Sequence, residues 1–153
     1  TFRIIGEPLF TDDDRAYARE LQTLAQPMGD RVQFLGFRTD IPVLMAASDI
    51  VVHCSTAPEP FGRVLVEAML SGKPVIAADA GGPREIVKEG VTGFLTPPGD
   101  VNTLADALRK VLADAALRER MGQAGRERAE RRFSLSAVRQ KTNTLLDRLS
   151  RKA

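Results

Sequence analysis

Short apolar runs alternate with longer amphipathic segments along the chain, and Gly, Pro and Ser clusters separate them. Phe2-Arg3-Ile4-Ile5-Gly6 is a β-prone run stopped by Gly6 and Pro8. Thr11 followed by Asp12, Asp13 and Asp14 has the form of a helix N-cap with acids in the first turn. That helix runs through Tyr17, Leu21, Leu24 and Ala25 until Pro27 and Gly29 end it. Val32–Leu35 is the next strand. Thr39-Asp40 opens a helix ending at Ser48, with Val43, Leu44 and Ala47 facing inward. Asp49–Cys54 and Pro74–Ala78 have continuous apolar centres, which suits strands buried on both faces. Between them a helix is expected from about Phe61 to the Ser71-Gly72-Lys73 stop, because Pro60 is tolerated at a helix start. Gly81-Gly82 turns into a short helix, Pro83–Lys88, and Gly93–Thr96 is a last short strand. Pro97–Asp100 breaks that strand and caps a helix over 101–112. Residues 114–132 and 134–152 read as two more helices, the second with Leu135, Val138, Leu145, Leu146 and Leu149 roughly on one side. Strand–helix alternation over residues 1–96 predicts an α/β domain with a parallel sheet.

The 153 residues suffice for one domain with a core, and 43% hydrophobic with 27% charged residues reads as soluble and globular. No apolar run approaches the ~20 residues of a membrane span, and no cleavable leader pattern is visible. One cysteine, Cys54, cannot form an internal disulfide, so a reducing cytoplasm is expected, with Cys54 packed as a small apolar residue. The net charge of +2 hides an asymmetry. Residues 1–108 hold 9 Lys+Arg against 15 Asp+Glu, and residues 109–153 hold 13 against 5. A basic helical tail could meet an anionic surface. Solvated helix faces explain it more simply, since Glu119, Glu127 and Glu130 interleave with the arginines. With one Tyr and no Trp, the basic-aromatic stripe of a single-strand nucleic-acid binder is missing.

The candidate chemistry lies in Glu59-Pro60-Phe61-Gly62-Arg63-Val64-Leu65-Val66-Glu67. Two carboxylates flank a helix start whose N–H groups, those of Phe61, Gly62 and Arg63, are free to meet an anion. A helix starting at Phe61 puts Glu67 roughly 9 Å along its axis. A nucleoside diphosphate sugar has that layout of hydroxyls, diphosphate and hydroxyls. The plainer alternative is a helix-start acid and a surface Glu67 paired with Arg63 at i,i+4. Gly81-Gly82 reads either as a tight turn or as a ligand-facing one, and Glu85 as bonding back to its own helix start. His53 ends a strand without a sequence-local partner, so a structural role is expected. No His/Cys cluster supports a metal site, and no G-x-G-x-x-G follows a strand.

Five ordered blocks, Gly36, Glu59–Gly62 through Glu67-Ala68-Met69, Gly72–Ala77, Gly81–Val87 and Gly90–Leu95, with Phe133-Ser134 at the final helix, resemble the C-terminal domain of GT-B glycosyltransferases of family 4, group 1. The resemblance covers nearly the whole chain. It implies a Rossmann-like parallel sheet flanked by helices, with C-terminal helices, forming one nucleotide-sugar-binding domain over residues 1–153. Helix 134–152 would pack toward an N-terminal acceptor domain absent from the chain. It implies transfer of a hexosyl group with retention, from a nucleoside diphosphate sugar, with no metal or cofactor. By position, Glu59 would meet the hexose hydroxyls and is the catalytic candidate; Glu67, acceptor-only, would take the ribose hydroxyls. Phe61, Gly62 and Arg63 would offer N–H groups to sugar and phosphates, and Gly36, Phe37 and Arg38 would lie against the base. Arg38 itself reads as a surface residue more than a reader of the base.

The chain departs from the family by lacking its first β-α unit, whose Arg and Lys grip the diphosphate. Thr1, not Met, opens the sequence, which reads as a fragment. An interrupted sheet, or another chain filling it, is therefore expected, and the chain alone should be inactive. The resemblance places the longer protein in the cytoplasm or at the inner face of a membrane, in glycan, glycolipid or envelope synthesis. A binding module without transferase activity and another GT-B-type enzyme, such as a nucleotide-sugar epimerase or phosphorylase, stay open.

Overall fold

A computed structural model describes residues 1–8 and 11–150, which fall into two compact units, Thr1–Ile41 and Pro42–Ala153. In the first, β1 (Phe2–Ile4) pairs in parallel with β2 (Val32–Phe34), and α1 (Asp12–Ala25) with a 3-10 segment (Gln26–Arg31) connects them. α1 starts where the sequence says. Thr11 accepts from the Asp14 N–H, and the Asp14 carboxylate accepts from the Thr11 N–H, a reciprocal cap satisfying two otherwise open donors. No described residue of this unit is fully buried. A groove of about 590 Å³ opens between β1 and α1, lined in part by Ile4, Ile5, Tyr17, Leu21 and Phe34.

The second unit has a three-stranded parallel sheet, β3 (Val51–His53), β4 (Val75–Ala78) and β5 (Gly93–Thr96), in that order. β4 is central and buried along its whole length, as its apolar run predicts. β3 departs from the same prediction: Val52 is 37% exposed, and among the described residues β3 has one ladder partner, β4, and lies at the edge of its sheet. Among the described residues the strands form separate ladders of two and three, so the pairing is interrupted as expected.

Ile76 packs with Ala107 and Val111 of α5 (Val101–Ala113), flanked by Ile50, Phe94, Leu104 and Leu108. Alternation turns Val75 and Ala77 to the opposite face. α3 (Arg63–Leu70) contacts β3 and β4 and is covered by α6 (Ala115–Phe133). Close contact there needs small residues: a Cβ at Gly122 would lie 2.1 Å from the Gly72 carbonyl oxygen. Leu65, Met69 and Met121 fill this seam and are essentially inaccessible.

Two arginines from the basic tail close helix ends. Arg118 donates to the Val111 and Leu112 carbonyls at the end of α5. Arg128 donates to the Glu85 and Ile86 carbonyls, 2.7 Å each, at the end of α4 (Pro83–Ile86). Partial burial, and then Arg132 and Arg131, pull the Arg128 guanidinium below its ordinary pKa. Arg126 pairs with Glu130 on the surface. Capping and local pairs thus engage Arg109, Arg118, Arg126 and Arg128 of the tail.

Several boundaries differ from expectation. The 39–48 helix is α2 (Ile41–Ala46), in which Met45 is the buried residue while Val43 is 66% exposed and Ala47 exposed. Helix α4 stops at Ile86, two residues early. The final helix is α7 (Leu135–Ser150); the expected residues 151 and 152 lie outside the described ones. Its leucines share a face, as read, and that face is exposed. Cys54 is also exposed, not packed, because it lies just past the end of β3.

Candidate functional site

The Glu59 loop leaves the carboxyl end of β3 and enters α3, so it stands where a parallel sheet directs its loops. The helix start is the main correction to the sequence reading. Gly62 is the N-cap, with φ of 97°, a left-handed conformation that suits Gly, and α3 begins at Arg63 instead of Phe61. Glu67 then lies about 6 Å along the axis from the helix start.

This shift changes which donors are open. The Glu59 Oε1 accepts from the Gly62 N–H at 3.1 Å, and the Phe61 N–H points to the same oxygen at a long 3.5 Å. Glu59 therefore folds back on its own loop. Among the described residues, the Arg63 and Val64 N–H groups have no acceptor. Of the three donors expected to be open, Phe61, Gly62 and Arg63, Arg63 is without an acceptor among the described residues, and Val64 joins it.

The Gly81-Gly82 turn locks this loop. Gly82 N–H donates to the Glu59 carbonyl at 2.8 Å, and Glu59 and Gly81 form a parallel bridge. A Cβ on Gly82 would stand 2.1 Å from the Phe61 carbonyl oxygen, so no larger residue fits without moving the loop. Of the two readings offered for this turn, the tight-packing one accounts for its contacts. Beside it, Arg84 holds the Asp79 carboxylate at 2.8 Å, and Arg84 is raised above its ordinary pKa by that bond. The Glu85 side chain makes no bond back to its helix start among the described residues; the Glu85 N–H donates to the Gly82 carbonyl at 2.9 Å instead.

Phe61 rests its ring on Phe133 at the end of α6, edge to face at 5.9 Å, and the Arg132 guanidinium lies 5.8 Å from the Phe133 centroid. Phe133 was legible as a helix boundary but not as a support for Phe61. Glu67 faces Arg63 at 3.3 Å, and Arg63 is 86% exposed. That is the i,i+4 surface pair named as the plainer reading, a contact worth only about 0.3–0.5 kcal/mol. It leaves Glu67 partly open to solvent and able to accept from other donors.

His53 is the residue the sequence did not connect to the loop. Its Nε2 lies 3.6 Å from Glu59 Oε2, and its Nδ1 is buried without a partner among the described residues. Five residues lie between them, and the return path of the loop brings them together.

Gly36, Phe37 and Arg38 belong to the first unit. Gly36 has a φ of 63°, its carbonyl accepts from the Gly6 N–H, and the Phe37 N–H donates to Glu7 Oε1 at 3.1 Å. Arg38 grips Asp40 through two bonds of 2.8 and 2.7 Å. These bonds raise the Arg38 guanidinium and hold the Asp40 carboxyl below its usual range. With its fork committed to Asp40, Arg38 fits the surface reading. The structure thus groups Glu59, Phe61, Gly62, Arg63 and Glu67 in one loop-helix segment, and Gly36–Arg38 in a separate loop.

Comparison with known proteins follows the same outline. The family model for glycosyl transferases group 1 matches residues 1–128. A phosphatidyl-myo-inositol mannosyltransferase of Mycobacterium leprae is 39% identical over 126 residues, 81% of this chain and 33% of that protein. A lipopolysaccharide core biosynthesis glycosyltransferase, LpsE of Rhizobium meliloti, is 32% identical over 138 residues, 89% of this chain and 40% of that protein. Anabaena HepE, crystallised in complex with UDP, superposes with a TM-score of 0.87 at 45% identity, covering 95% of this chain and 40% of that one. The same protein is also known in complex with UDP-glucose. The chain spans about two fifths or less of the length of these relatives.

Proposed function

The chain belongs to the glycosyl transferases group 1 family, and we propose that it is the donor-binding part of a retaining enzyme that moves a hexosyl group from a nucleoside diphosphate sugar to an acceptor. The observation that carries the reading is the α3 start: open N–H groups at Arg63 and Val64 with a carboxylate on either side, Glu59 before and Glu67 after. Open donors at a helix N-terminus suit a phosphate, and acceptor-only carboxylates suit hydroxyl donors. In this reading Glu59 meets the hexose, Glu67 the ribose hydroxyls, and the Phe61–Arg63 segment the sugar and phosphates. Gly36, Phe37 and Arg38 serve the base side. Glu67 exchanges Arg63 for the ribose at little cost, since an exposed pair is weak. Complexes of Anabaena HepE with UDP and UDP-glucose favour a uridine donor.

Transfer needs more than these residues. The exposed leucine face of α7 is the surface we assign to an acceptor-binding domain, for which the greater length of the relatives leaves room, and a further strand would complete the sheet. No described helix is long and apolar enough to cross a membrane. A cytoplasmic setting, with an acceptor at a membrane surface, fits relatives whose names mention phosphatidyl-myo-inositol and lipopolysaccharide core biosynthesis.

Calorimetry with UDP-glucose, UDP and GDP tests the reading on this chain. UDP-glucose binds, and Glu67→Ala weakens it about tenfold through two lost hydroxyl bonds. If uridine and guanosine compounds bind equally badly and Glu67→Ala changes nothing, the donor-site assignment is wrong.

A further inference from the structure

We infer that His53 is the positioning residue for Glu59: its Nε2–H fixes where the carboxylate stands, and so controls how Glu59 reads a hexose. The inference rests on the donor-site reading of Glu59 given above.

The argument begins at the buried nitrogen. A neutral imidazole carries one N–H and one lone pair, and which nitrogen holds the proton follows from the partners. Nδ1 is buried and has no partner among the described residues. A buried N–H without an acceptor is rarer and worse tolerated than an under-used acceptor. The proton therefore sits on Nε2, which is the nitrogen facing Glu59 Oε2. At 3.6 Å the contact is attractive but too long for a hydrogen bond. A small movement of the carboxylate closes it.

The two residues also differ in footing. His53 is the last residue of β3 and is held in register opposite Ala77 of buried β4. Glu59 lies in a loop. A strand-borne donor beside a loop-borne acceptor is the arrangement that fixes the loop group, because the rigid partner sets the geometry. Oε1 is held by the Gly62 N–H, and once the carboxylate closes the 3.6 Å gap to His53, Oε2 is held as well, with lone pairs left over for sugar hydroxyls. The side chains are 20% and 34% exposed, so water screens the contact only in part.

His53 is the only histidine in the chain, so one imidazole appears in a ¹⁵N spectrum of the full labelled chain. In alkaline buffer the spectrum should show a protonated Nε2 and a bare Nδ1, and Glu59→Gln should shift the Nε2 resonance. His53→Gln, whose amide nitrogen can stand where Nε2 does, should leave the Gly62 amide resonance in place. His53→Leu and His53→Asn, which put no donor there, should move it. In calorimetry, His53→Leu should weaken UDP-glucose relative to UDP by about tenfold, with His53→Gln recovering most of that. A proton on Nδ1, or His53→Gln behaving like His53→Leu, overturns the inference. An unchanged UDP-glucose to UDP ratio does the same. If the unsubstituted chain binds neither nucleotide while the imidazole and Gly62 results hold, the donor-site reading fails instead. His53 is then a structural partner of Glu59 and not a positioning residue for transfer.

Discussion

The two units use the same β-α-β construction but hold it together differently. In Thr1–Ile41 the side-chain pairs are local, the Thr11–Asp14 cap, the Arg15–Asp12 pair and the Arg38–Asp40 fork, and the contacts between distant residues are polar: the β1–β2 ladder, the Gly6–Gly36 bond and the Phe37 N–H to Glu7. Phe2, Ile4, Tyr17 and Leu24 are all exposed. In Pro42–Ala153 the stabilising contacts are distant in sequence: Ile76 with Val111, Met69 with Gly125, and Arg128 with the end of α4. A strand-helix unit can be specified by its own caps and turns, yet burial, the dominant stabilising term, requires neighbours from elsewhere in the chain. The candidate donor loop lies in the unit that has them.

Apolar truncation should separate the units most strongly. Ile76→Ala is expected to lower stability by about 3–4 kcal/mol, and Ile4→Ala by less than about 1 kcal/mol. Urea unfolding followed by resonances of each unit checks this, and equal losses would break the comparison. Next comes Gly82→Ala, expected to destabilise the second unit by about 2–3 kcal/mol through overpacking against the Phe61 carbonyl. Its signature is a shifted Gly62 amide with an unchanged Phe37 amide. Arg128→Leu should follow at about 1–2 kcal/mol, since it leaves two helix-end carbonyls unpaired. Thr11→Ala should cost about 1 kcal/mol, felt in α1 and not in β4.

The smallest effect concerns pH. Asp100 caps α5 and bonds the Thr103 hydroxyl and N–H, which hold its carboxyl below the usual range. A depressed folded value means that the cap's contribution is complete above the unfolded carboxyl pKa and is lost as pH falls through the folded value. Asp100→Asn should flatten that part of an acid titration of stability while keeping the cap near neutral pH.

Local rules made the periodic elements legible. Pro74–Ala78 announced a buried strand because a strand covered on both faces has no polar side to show. Thr11 announced α1 because a cap is written within four residues. The α3 start was misplaced by two residues for a physical reason. Pro60 satisfies the rule for a helix opening, but Gly62 takes a left-handed turn that only the folded path reveals. Nor could spacing show that Glu59 would consume the Gly62 N–H or approach His53. Both depend on how the loop returns over the end of β3. The edge position of β3 was likewise invisible in an apolar run that looks the same whether one neighbour or two are present. The order of the glutamate and glycine blocks, by contrast, carried the family without any geometry.

One titration tests the central claim most directly. Adding UDP-glucose to the ¹⁵N-labelled chain should move the amides of Arg63 and Val64 first and farthest, with a smaller shift at Gly62, whose N–H stays on Glu59 while the remaining lone pairs of that carboxylate meet the sugar. Saturating shifts confined to other residues, with Arg63 and Val64 unmoved, would contradict the assignment of the α3 start as the donor site.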